Sequence, residues 1–530
     1  MLRRSLAVAE AGDRPVLRRS VLLGGVAALG LPLLGACGGS SDSSTADSTA
    51  ATGVAKKGGT LRIARPPASD QEDLDPASTL PAYEYLGALY SRLVKQARDG
   101  SPQPDLATAW ESSADSLTWT FTLRTGVTFH NGRAFSSADA VYTLTHILDP
   151  GTRSPQAGVL SPFLDASGIS APDARTLVVR LTSPNAEFVS LLMNYNCYVI
   201  PKGSGPTIGR TGIGTGPFKL VSFAAAGKGS VAANPDYFGG PPVLDAIEFT
   251  AIADVPARVN ALLAEQVDLI AQTNLDYATS KTVKASSGAT TATVKATQWY
   301  VMPMLTTLAP FTDVSVRQAF KLAYDPTALL TAALHGRGTV ANNNPVAPTD
   351  RNYLDYQVAP DPEKARALLR KAGLTSAQIL NTSSYDPVLT PMALGYQSSV
   401  KRAGLAIEVK SAASDTYYTD VWIKKPFCAS YWYTGRPIDQ LLGQIFRTGS
   451  SYNETHWSDA SFDSTLDAAR RTAEPAKRRQ HYQDAQKLLV DRSGSIVPFL
   501  ADRTTGLSRE VLNYSEHGFE FDYLTIGFRV

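Results

Sequence analysis

The chain has 530 residues, of which 43% are hydrophobic, 9% aromatic and 18% charged. This length favours two to four domains, and the apolar share is enough for a sizeable core, unlike that of a disordered or collagen-like chain. The net charge is +2, with +3 in residues 1–36 and −1 in the rest, so no basic nucleic-acid-binding surface is expected. Three cysteines exclude a disulfide scaffold.

The first 36 residues have the pattern of a signal peptide. Arg18 and Arg19 precede 14 uncharged residues, a run shorter than the ~20 residues needed to span a bilayer. Residues 34–37 read LGAC, which resembles a bacterial lipobox in which Cys37 receives a diacylglycerol. The arginine pair resembles a twin-arginine export signal, although Leu22 stands where Phe is more usual. The alternative is a plain N-terminal helix with an incidental cysteine.

Residues 37–57 form a predicted tether. The stretch from 38 to 59 is rich in Gly, Ser, Thr, Ala and Asp and has no aromatic residue, Leu or Ile. Such a segment cannot bury enough apolar surface to become ordered, and as a coil of ~20 residues it would reach about 25 Å. We therefore expect a folded body held by lipid at the outer face of the cytoplasmic membrane.

The first elements of the body read mainly as strands. Residues 60–64 form a strand after two glycines, and residues 117–124 alternate apolar and polar side chains, as in a half-buried strand. Asn131-Gly132 is a hairpin turn signal. Residues 136–141 begin a helix with serine as its cap, and residues 176–181 form another short strand.

The C-terminal half is predicted to be mainly helical. Residues 316–323 have helical spacing, and residues 361–373 begin with an Asp cap and Pro and end at Gly. Residues 461–490 predict two helices broken near Pro475, and residues 496–500 predict a late strand. The fold class is therefore α/β or mixed α+β.

No pattern in the sequence favours catalysis. The six histidines lack metal-ligand spacing, and Cys197 and Cys428 read as small buried thiols or, less favoured, as a disulfide pair. Residues 398–401 match S-x-x-K, but the companion motifs of the penicillin-interacting serine enzymes are absent. We predict a protein that is not an enzyme and has no metal or cofactor. A secreted hydrolase remains the rival hypothesis, and it would require a triad or metal site that the sequence does not reveal.

Aromatic residues cluster before a turn. Tyr431, Trp432 and Tyr433 run directly into residues 434–437, and Trp299-Tyr300 is a second pair. Such clusters pack in a core or line a ligand cleft, since ligand pockets are mostly apolar with few polar groups.

Several ordered motifs resemble the family 5 extracellular solute-binding proteins, the dipeptide, oligopeptide and nickel receptors of ABC importers. The resemblance runs from about Gly58 nearly to the C-terminus, and its most specific part lies between residues 104 and 141. The matching stretches are 104–110 (PDLATAW), 119–124 (WTFTLR), 126–132 (GVTFHNG), 135–141 (FSSADAV), 214–218 (GTGPF), 234–240 (NPDYFGG), 314–319 (VSVRQA) and 361–373 (DPEKARALLRKAG).

This resemblance implies a two-lobed fold of the periplasmic-binding-protein kind (type II, cluster C-like), with a hinge and an extra small domain inserted in the first lobe. The crossing strands would lie near Tyr300 and Pro498. By motif order, lobe one comprises residues 58–88, 210–298 and 498–530, the inserted domain comprises residues 89–209, and lobe two comprises residues 299–497.

The resemblance also implies a mechanism: ligand binds between the lobes of a monomeric receptor, the lobes close, and a membrane ABC permease accepts the ligand. Many peptide-binding members carry an Asp in the turn after a Trp-containing strand, where it pairs with the amino terminus of the peptide. Here Arg436 stands in that turn and favours a carboxylate or phosphate, and Asp439 follows three residues later. Peptides remain the leading ligand class, with acidic peptides, sugars, opines, metal chelates or haem as alternatives. The expected cleft residues are Tyr431, Trp432, Tyr433, Arg436 and Asp439, with Trp299 and Tyr300 behind them.

Overall fold

The computed structural model of the chain describes residues 51–97, 99–384, 386–414, 416–517 and 520–530. The predictions of an export signal at Arg18 and Arg19 and of lipidation at Cys37 lie outside these residues, as does most of the predicted tether. None of the helices in the described ranges has the length and apolar character that crossing a membrane requires.

Strands and helices alternate irregularly along the described chain, as in a mixed α/β protein. The strands are β1 (Thr60–Arg65), β2 (Val94–Gln96), β3 (Pro102–Pro104), β4 (Ala107–Ser112), β5 (Thr118–Leu123), β6 (Ile169–Asp173), β7 (Thr176–Arg180), β8 (Phe218–Ser222), β9 (Lys228–Ala233), β10 (Ala246–Ala251), β11 (Leu269–Ile270), β12 (Ala289–Pro303), β13 (Gly338–Val340), β14 (Gln378–Ser383), β15 (Ile407–Ala412), β16 (Ser430–Tyr433), β17 (Ser495–Ile496), β18 (Phe499–Ser508), β19 (Val511–Leu512), β20 (Glu516–His517), β21 (Glu520–Phe521) and β22 (Gly527–Phe528). The α-helices are α1 (Tyr83–Leu89), α2 (Ser137–Leu148), α3 (Ala157–Leu160), α4 (Phe188–Leu191), α5 (Gly205–Thr211), α6 (Val255–Leu263), α7 (Tyr277–Ala285), α8 (Val314–Leu322), α9 (Pro326–Leu334), α10 (Pro362–Lys371), α11 (Leu389–Ser399), α12 (Tyr417–Asp420), α13 (Ile438–Ile445), α14 (Ala460–Arg471) and α15 (Pro475–Arg492), with 3₁₀ turns at Ala166–Gly168, Tyr195–Cys197 and Val400–Ala403.

The largest sheet runs through both lobes. Its strand order is β16-β12-β18-β11-β1-β10-β9-β8, with β13 beside β18 and β17 beside β12. The long strands β12 and β18 pair antiparallel from Ala289↔Ser508 to Trp299↔Leu500. They occupy the positions at which the sequence predicts crossing strands. The exact limits of the domains remain predictions. Below, the names lobe one, inserted domain and lobe two refer to the residue ranges predicted from the sequence.

The inserted domain has a four-stranded antiparallel sheet of its own, with the order β4-β5-β7-β6. In β5, Trp119, Phe121 and Leu123 are buried, which confirms the alternation predicted for this strand. The predicted cap of α2 is also confirmed, because the backbone N–H of Ser136 donates to the Asp139 carboxylate at 2.9 Å. The signature motif therefore encodes local structure that gives this domain its core.

The helices predicted in lobe two are present. The Asp361 side chain accepts the Lys364 N–H at the start of α10, and α14 and α15 are separated just before Pro475. The late strand differs from the prediction: β17 ends at Ile496, and β18 begins at Phe499 and continues to Ser508. Pro498 lies between them and has no N–H to donate to a ladder, which accounts for the interruption.

Candidate ligand-binding site

The register of two neighbouring strands divides the predicted aromatic residues between two faces of the sheet. β16 pairs antiparallel with β12, and Trp432 lies opposite Trp299 while Tyr431 lies opposite Tyr300. Directly opposed residues project to the same face, and successive residues project to opposite faces. The tryptophans therefore share one face, and the tyrosines share the other.

The tryptophan face belongs to the core of lobe two. Trp299 is fully buried, and its ring stacks 6.1 Å from Trp432 and 6.0 Å from Phe446. The indole N–H of Trp432 donates to Glu454 Oε1 at 2.8 Å. Trp299 lines none of the cavities described below and packs beneath Trp432.

On the tyrosine face, Tyr300 and Tyr431 pack in a second core cluster of lobe two, and Tyr433 lies at the end of β16. Tyr300 is fully buried, and its hydroxyl lies 3.1 Å from both carboxylate oxygens of Asp386. The ring of Tyr431 lies 5.7 Å from that of Tyr300 and 5.6 Å from that of Tyr433. Burial is the main reason that the pKa of Tyr300 lies well above its ordinary value, so this phenol stays neutral. Of these three rings, Tyr433 is the one that lines a cavity.

Three adjoining cavities lie between the inserted domain, lobe one and lobe two, and we call them together the cleft. Cavity A has about 100 Å³, cavity B about 250 Å³ and cavity C about 580 Å³. Cavity A shares Gln96 and residues 434–436 with B, and it shares Pro155, Val159, Gln440 and Gln444 with C. The turn predicted to bind ligand therefore forms the junction of A and B.

A larger cavity of about 740 Å³ lies beside residues 90–97 and 513–525 and shares Gln96, Tyr514 and Ser515 with cavity B. None of the predicted site residues lines it. Its size alone does not make it the functional site, and the cleft is preferred because three of the predicted site residues, Tyr433, Arg436 and Asp439, line it.

Arg436 lies where cavities A and B meet. Its Nη1 donates to the Tyr433 carbonyl at 2.8 Å, and its guanidinium carbon lies 5.4 Å from the centre of the Trp432 ring. No carboxylate of a described residue lies within ion-pair distance of it. Burial lowers the pKa of Arg436, although an arginine keeps its charge at neutral pH. A carboxylate arriving from solution would find a fork of donors in cavities A and B.

The carboxylate of Asp439 accepts hydrogen bonds from other side chains of the protein. It is 1% exposed, and its Oδ1 accepts from Arg470 Nε at 2.8 Å and from the Tyr482 hydroxyl at 3.2 Å. Asp439 borders cavity C, whereas Arg436 borders A and B. The two residues therefore line different cavities, and the charge of Asp439 is compensated by Arg470; the role predicted for the pair at the charged ends of a ligand stays a prediction.

Sequence reasoning missed Gln440. It is 5% exposed, lines cavities A and C, and its Oε1 has no hydrogen-bond partner among the described residues. Its Nε2 lies 3.3 Å from Gln444 Oε1, one helical turn along α13. The available signal was this i, i+4 pair of glutamines directly after the binding turn. Tyr195 also lines cavity A, and no motif in the sequence singles it out.

The cysteines and the acidic groups give no sign of a metal centre. Cys197 and Cys428 are buried free thiols, and burial raises the pKa of both to about 12. Within the ranges that the structure describes, no group of three His, Cys, Asp or Glu side chains is arranged to hold a metal ion.

Comparison with known proteins identifies the family. The family model for bacterial extracellular solute-binding proteins, family 5 (middle region), matches residues 101–452. That stretch is more than half of the chain, so the chain belongs to family 5 of the bacterial extracellular solute-binding proteins. Members are extracytoplasmic or periplasmic substrate-binding proteins of ABC transporters and are not enzymes.

Individual relatives support the same assignment. Di/tripeptide-binding protein 3 of Pseudomonas aeruginosa is 25% identical over 458 residues, covering 79% of this chain and 85% of the relative. Heme-binding protein A of Haemophilus influenzae is 32% identical over 313 residues, covering 54% and 56% respectively. The solved structure of the binding protein DppA from Helicobacter pylori with the peptide STSA has a TM-score of 0.73 and 22% identity, covering 89% of this chain and 98% of that one. This likeness confirms the two-lobed fold.

Proposed function

We propose that this protein is the lipid-anchored peptide receptor of an ABC importer and that Arg436 binds a carboxylate of the peptide. The observation that carries the proposal is the Arg436 guanidinium, which borders two cavities of the cleft and has no carboxylate of a described residue within ion-pair distance. A half-buried cation without an anion has lost part of its hydration, and a ligand carboxylate with a bidentate hydrogen-bond pattern offsets that cost.

Other groups in the cleft match the remaining chemistry of a peptide. The unpartnered Oε1 of Gln440 is an acceptor for a peptide N–H, and Tyr433 supplies an aromatic wall in cavity A. The three adjoining cavities together fall in the size range of pockets that enclose a small ligand. This combination of apolar walls with a few fixed polar groups suits a short peptide.

The membrane anchor is a second part of the proposal. Cys37 follows the predicted signal peptide, and lipid on its side chain and amino terminus would hold the body at the outer face of the cytoplasmic membrane. A monomer anchored in this way reaches its permease by diffusion in the plane of the membrane. Arg18 and Arg19 are the proposed export signal.

An anionic solute other than a peptide is the second candidate. The same Arg436 fork fits the carboxylate of an opine or the propionate of haem, and one relative is named as heme-binding. A peptide is favoured because Gln440 adds an acceptor suited to an amide N–H.

A ligand-charge experiment tests the proposal. Protein purified without added ligand is first examined by native and then denaturing mass spectrometry to identify what is bound, and matching peptides are then titrated as free acids and as C-terminal amides. The free acid should bind at least about tenfold more tightly than the amide, and Arg436→Gln should abolish this preference. Arg366→Gln is the matched control, because Arg366 is a surface residue paired with Glu363. Equal binding of acid and amide by the unaltered protein would refute the role of Arg436.

A further inference from the structure

A buried carboxylate lies behind the binding turn. Glu454 is 2% exposed, and it accepts the indole N–H of Trp432 at 2.8 Å and that of Trp422 at 2.7 Å. No cation of a described residue lies within ion-pair distance of it. A carboxylate held only by neutral donors is an expensive core residue, since burial of an uncompensated charge is strongly unfavourable. Packing alone therefore does not account for a carboxylate at this position.

Glu454 and Arg436 contact the same indole. Glu454 binds the N–H edge of Trp432, and the Arg436 guanidinium lies over the face of that ring at 5.4 Å from its centre. A cation is attracted to the negative face of an aromatic ring, and Trp is the best such partner. A negative acceptor on the N–H edge places more electron density on the ring, and it also fixes the orientation of the ring. Both effects hold the guanidinium toward cavities A and B.

We propose that Glu454 is a positioning residue for ligand binding, acting through Trp432 to hold Arg436 toward the ligand carboxylate. It does not contact ligand itself. The inference rests on the proposed function of Arg436 and extends it to a residue on the far side of the aromatic strand.

The charge of Glu454 depends on pH in the neutral range. Burial raises the pKa of Glu454 to about 7, while the hydrogen bonds from Trp432, Trp422 and Ser430 act in the opposite direction. Among the described residues, the ionisable groups that contact Glu454 or its two indoles are the buried thiol of Cys428, the Arg436 guanidinium across the indole, and the phenols of Tyr418 and Tyr452. None of these groups ordinarily changes charge between pH 6 and 8. Preference for a ligand carboxylate should therefore strengthen as pH rises through about 7. His456, two residues along the chain, is exposed, and His456→Gln should leave the pH dependence unchanged.

The test measures the affinity ratio between a peptide free acid and its C-terminal amide from pH 6 to pH 8. Using the ratio cancels titration of the amino terminus, which both peptides share. In the unaltered protein the ratio should rise about threefold across this range. In Glu454→Gln, which keeps one acceptor and loses the charge, the ratio should fall about three- to tenfold at pH 8 and become independent of pH.

A double-mutant cycle separates positioning from general damage. Trp432→Phe keeps an aromatic ring under Arg436 and removes the N–H, so its effect on the ratio should not add to that of Glu454→Gln. Trp422→Phe removes the other indole donor, which does not contact Arg436. Because that hydrogen bond lowers the pKa of Glu454, this variant should shift the rise of the ratio to higher pH without abolishing it. Circular dichroism and thermal unfolding check that each variant folds.

The outcomes distinguish the two proposals. If Arg436→Gln removes the acid preference and Glu454→Gln leaves both the ratio and its pH dependence unchanged, the positioning role is overturned and the proposed function stands. If Arg436→Gln has no effect on the ratio, the proposed function fails, and the positioning role fails with it. A loss of pH dependence in Glu454→Gln that Trp432→Phe reproduces without additivity supports the inference.

Discussion

Nε of Arg478 lies 2.6 Å from Oε1 of Glu187, and this ion pair joins α15 of lobe two to the inserted domain. The second oxygen of Glu187 lies 3.0 Å from Arg351, which also belongs to lobe two. The Glu187 side chain is 6% exposed. Two sides of the cleft are thus held together by a carboxylate of the protein itself.

We call the ion pairs of Glu187 with Arg478 and Arg351 the clasp, and hydrogen bonds of neighbouring residues add to it. The Ala186 N–H donates to the Arg470 carbonyl at 2.7 Å, and Asn185 Nδ2 lies 3.4 Å from Asp439 Oδ2. Arg470 in turn pairs with Asp439 at 2.8 Å. Asp439 therefore contributes to a contact between the inserted domain and lobe two.

Loss of the clasp should open the cleft. Glu187→Ala leaves Arg478 and Arg351 without their anion, and removal of one partner from a buried ion pair costs up to about 3–5 kcal/mol. We expect a larger radius of gyration in the ligand-free protein by small-angle X-ray scattering and a several-fold weaker apparent ligand affinity, because the closed form is less populated. Glu363→Ala is the control, since it breaks an ion pair with Arg366 that lies entirely within α10 of lobe two. An unchanged radius of gyration in Glu187→Ala would contradict the clasp.

Local features of the fold could be predicted from the sequence because their causes are local. The alternation in residues 117–124, the cap at Ser136 and the cap at Asp361 each depend on side chains within a few positions. The interruption of the late strand at Pro498 is also a local effect, although the sequence prediction placed one strand across it.

The site was harder to predict because its residues depend on strand register and on distant partners. Trp299 and Tyr300 are neighbours in sequence but face opposite sides of the sheet, where each packs in a separate core cluster that no local sequence pattern reveals. The partner of Asp439 is Arg470, 31 residues away. Glu454 and Gln440 carry no motif, and their roles appear only when burial and hydrogen bonds are known.

The motif at residues 214–218 should be intolerant of side chains at its glycines. A Cβ added at Gly214 would lie 2.0 Å from the Leu89 carbonyl oxygen, and one at Gly216 would lie 2.5 Å from the Ala88 carbonyl oxygen. Backbone atoms cannot move aside cheaply, so Gly214→Ala and Gly216→Ala should each destabilise the fold by about 3 kcal/mol or more. Chemical denaturation measures this loss. Gly158→Ala is the control, because a Cβ there meets no atom within 4 Å, and a similar loss in that variant would refute the explanation.

The predicted lipid anchor can be tested by replacing the thiol of Cys37. Cys37→Ser removes the thiol that would carry the diacylglycerol, and stable membrane attachment requires two acyl chains or an equivalent signal. The variant should move from the membrane fraction to the soluble extracytoplasmic fraction, and its intact mass should lack lipid. Cys197→Ser changes a buried thiol elsewhere in the chain and should stay with the membrane. A Cys37→Ser protein that remains membrane-bound would exclude anchoring through this residue.

His130, in the signature motif, should make stability depend on acidity. Its Nδ1 accepts the Gly214 N–H at 3.3 Å, and its Nε2 donates to the Gly216 carbonyl at 3.1 Å, so the folded protein holds a neutral imidazole. Burial lowers the pKa of His130 to about 4, whereas an unfolded histidine titrates near 6.5. Between these values the unfolded chain binds more protons, and the free energy of unfolding should therefore fall as pH drops from about 6.5 to about 4, by at most about 3 kcal/mol. Urea denaturation across this range should show a shallower pH dependence in His130→Gln than in the unaltered protein, while His335→Gln, at an exposed histidine, should keep the original dependence. Equal pH dependence in His130→Gln and the unaltered protein would mean that another group carries the effect.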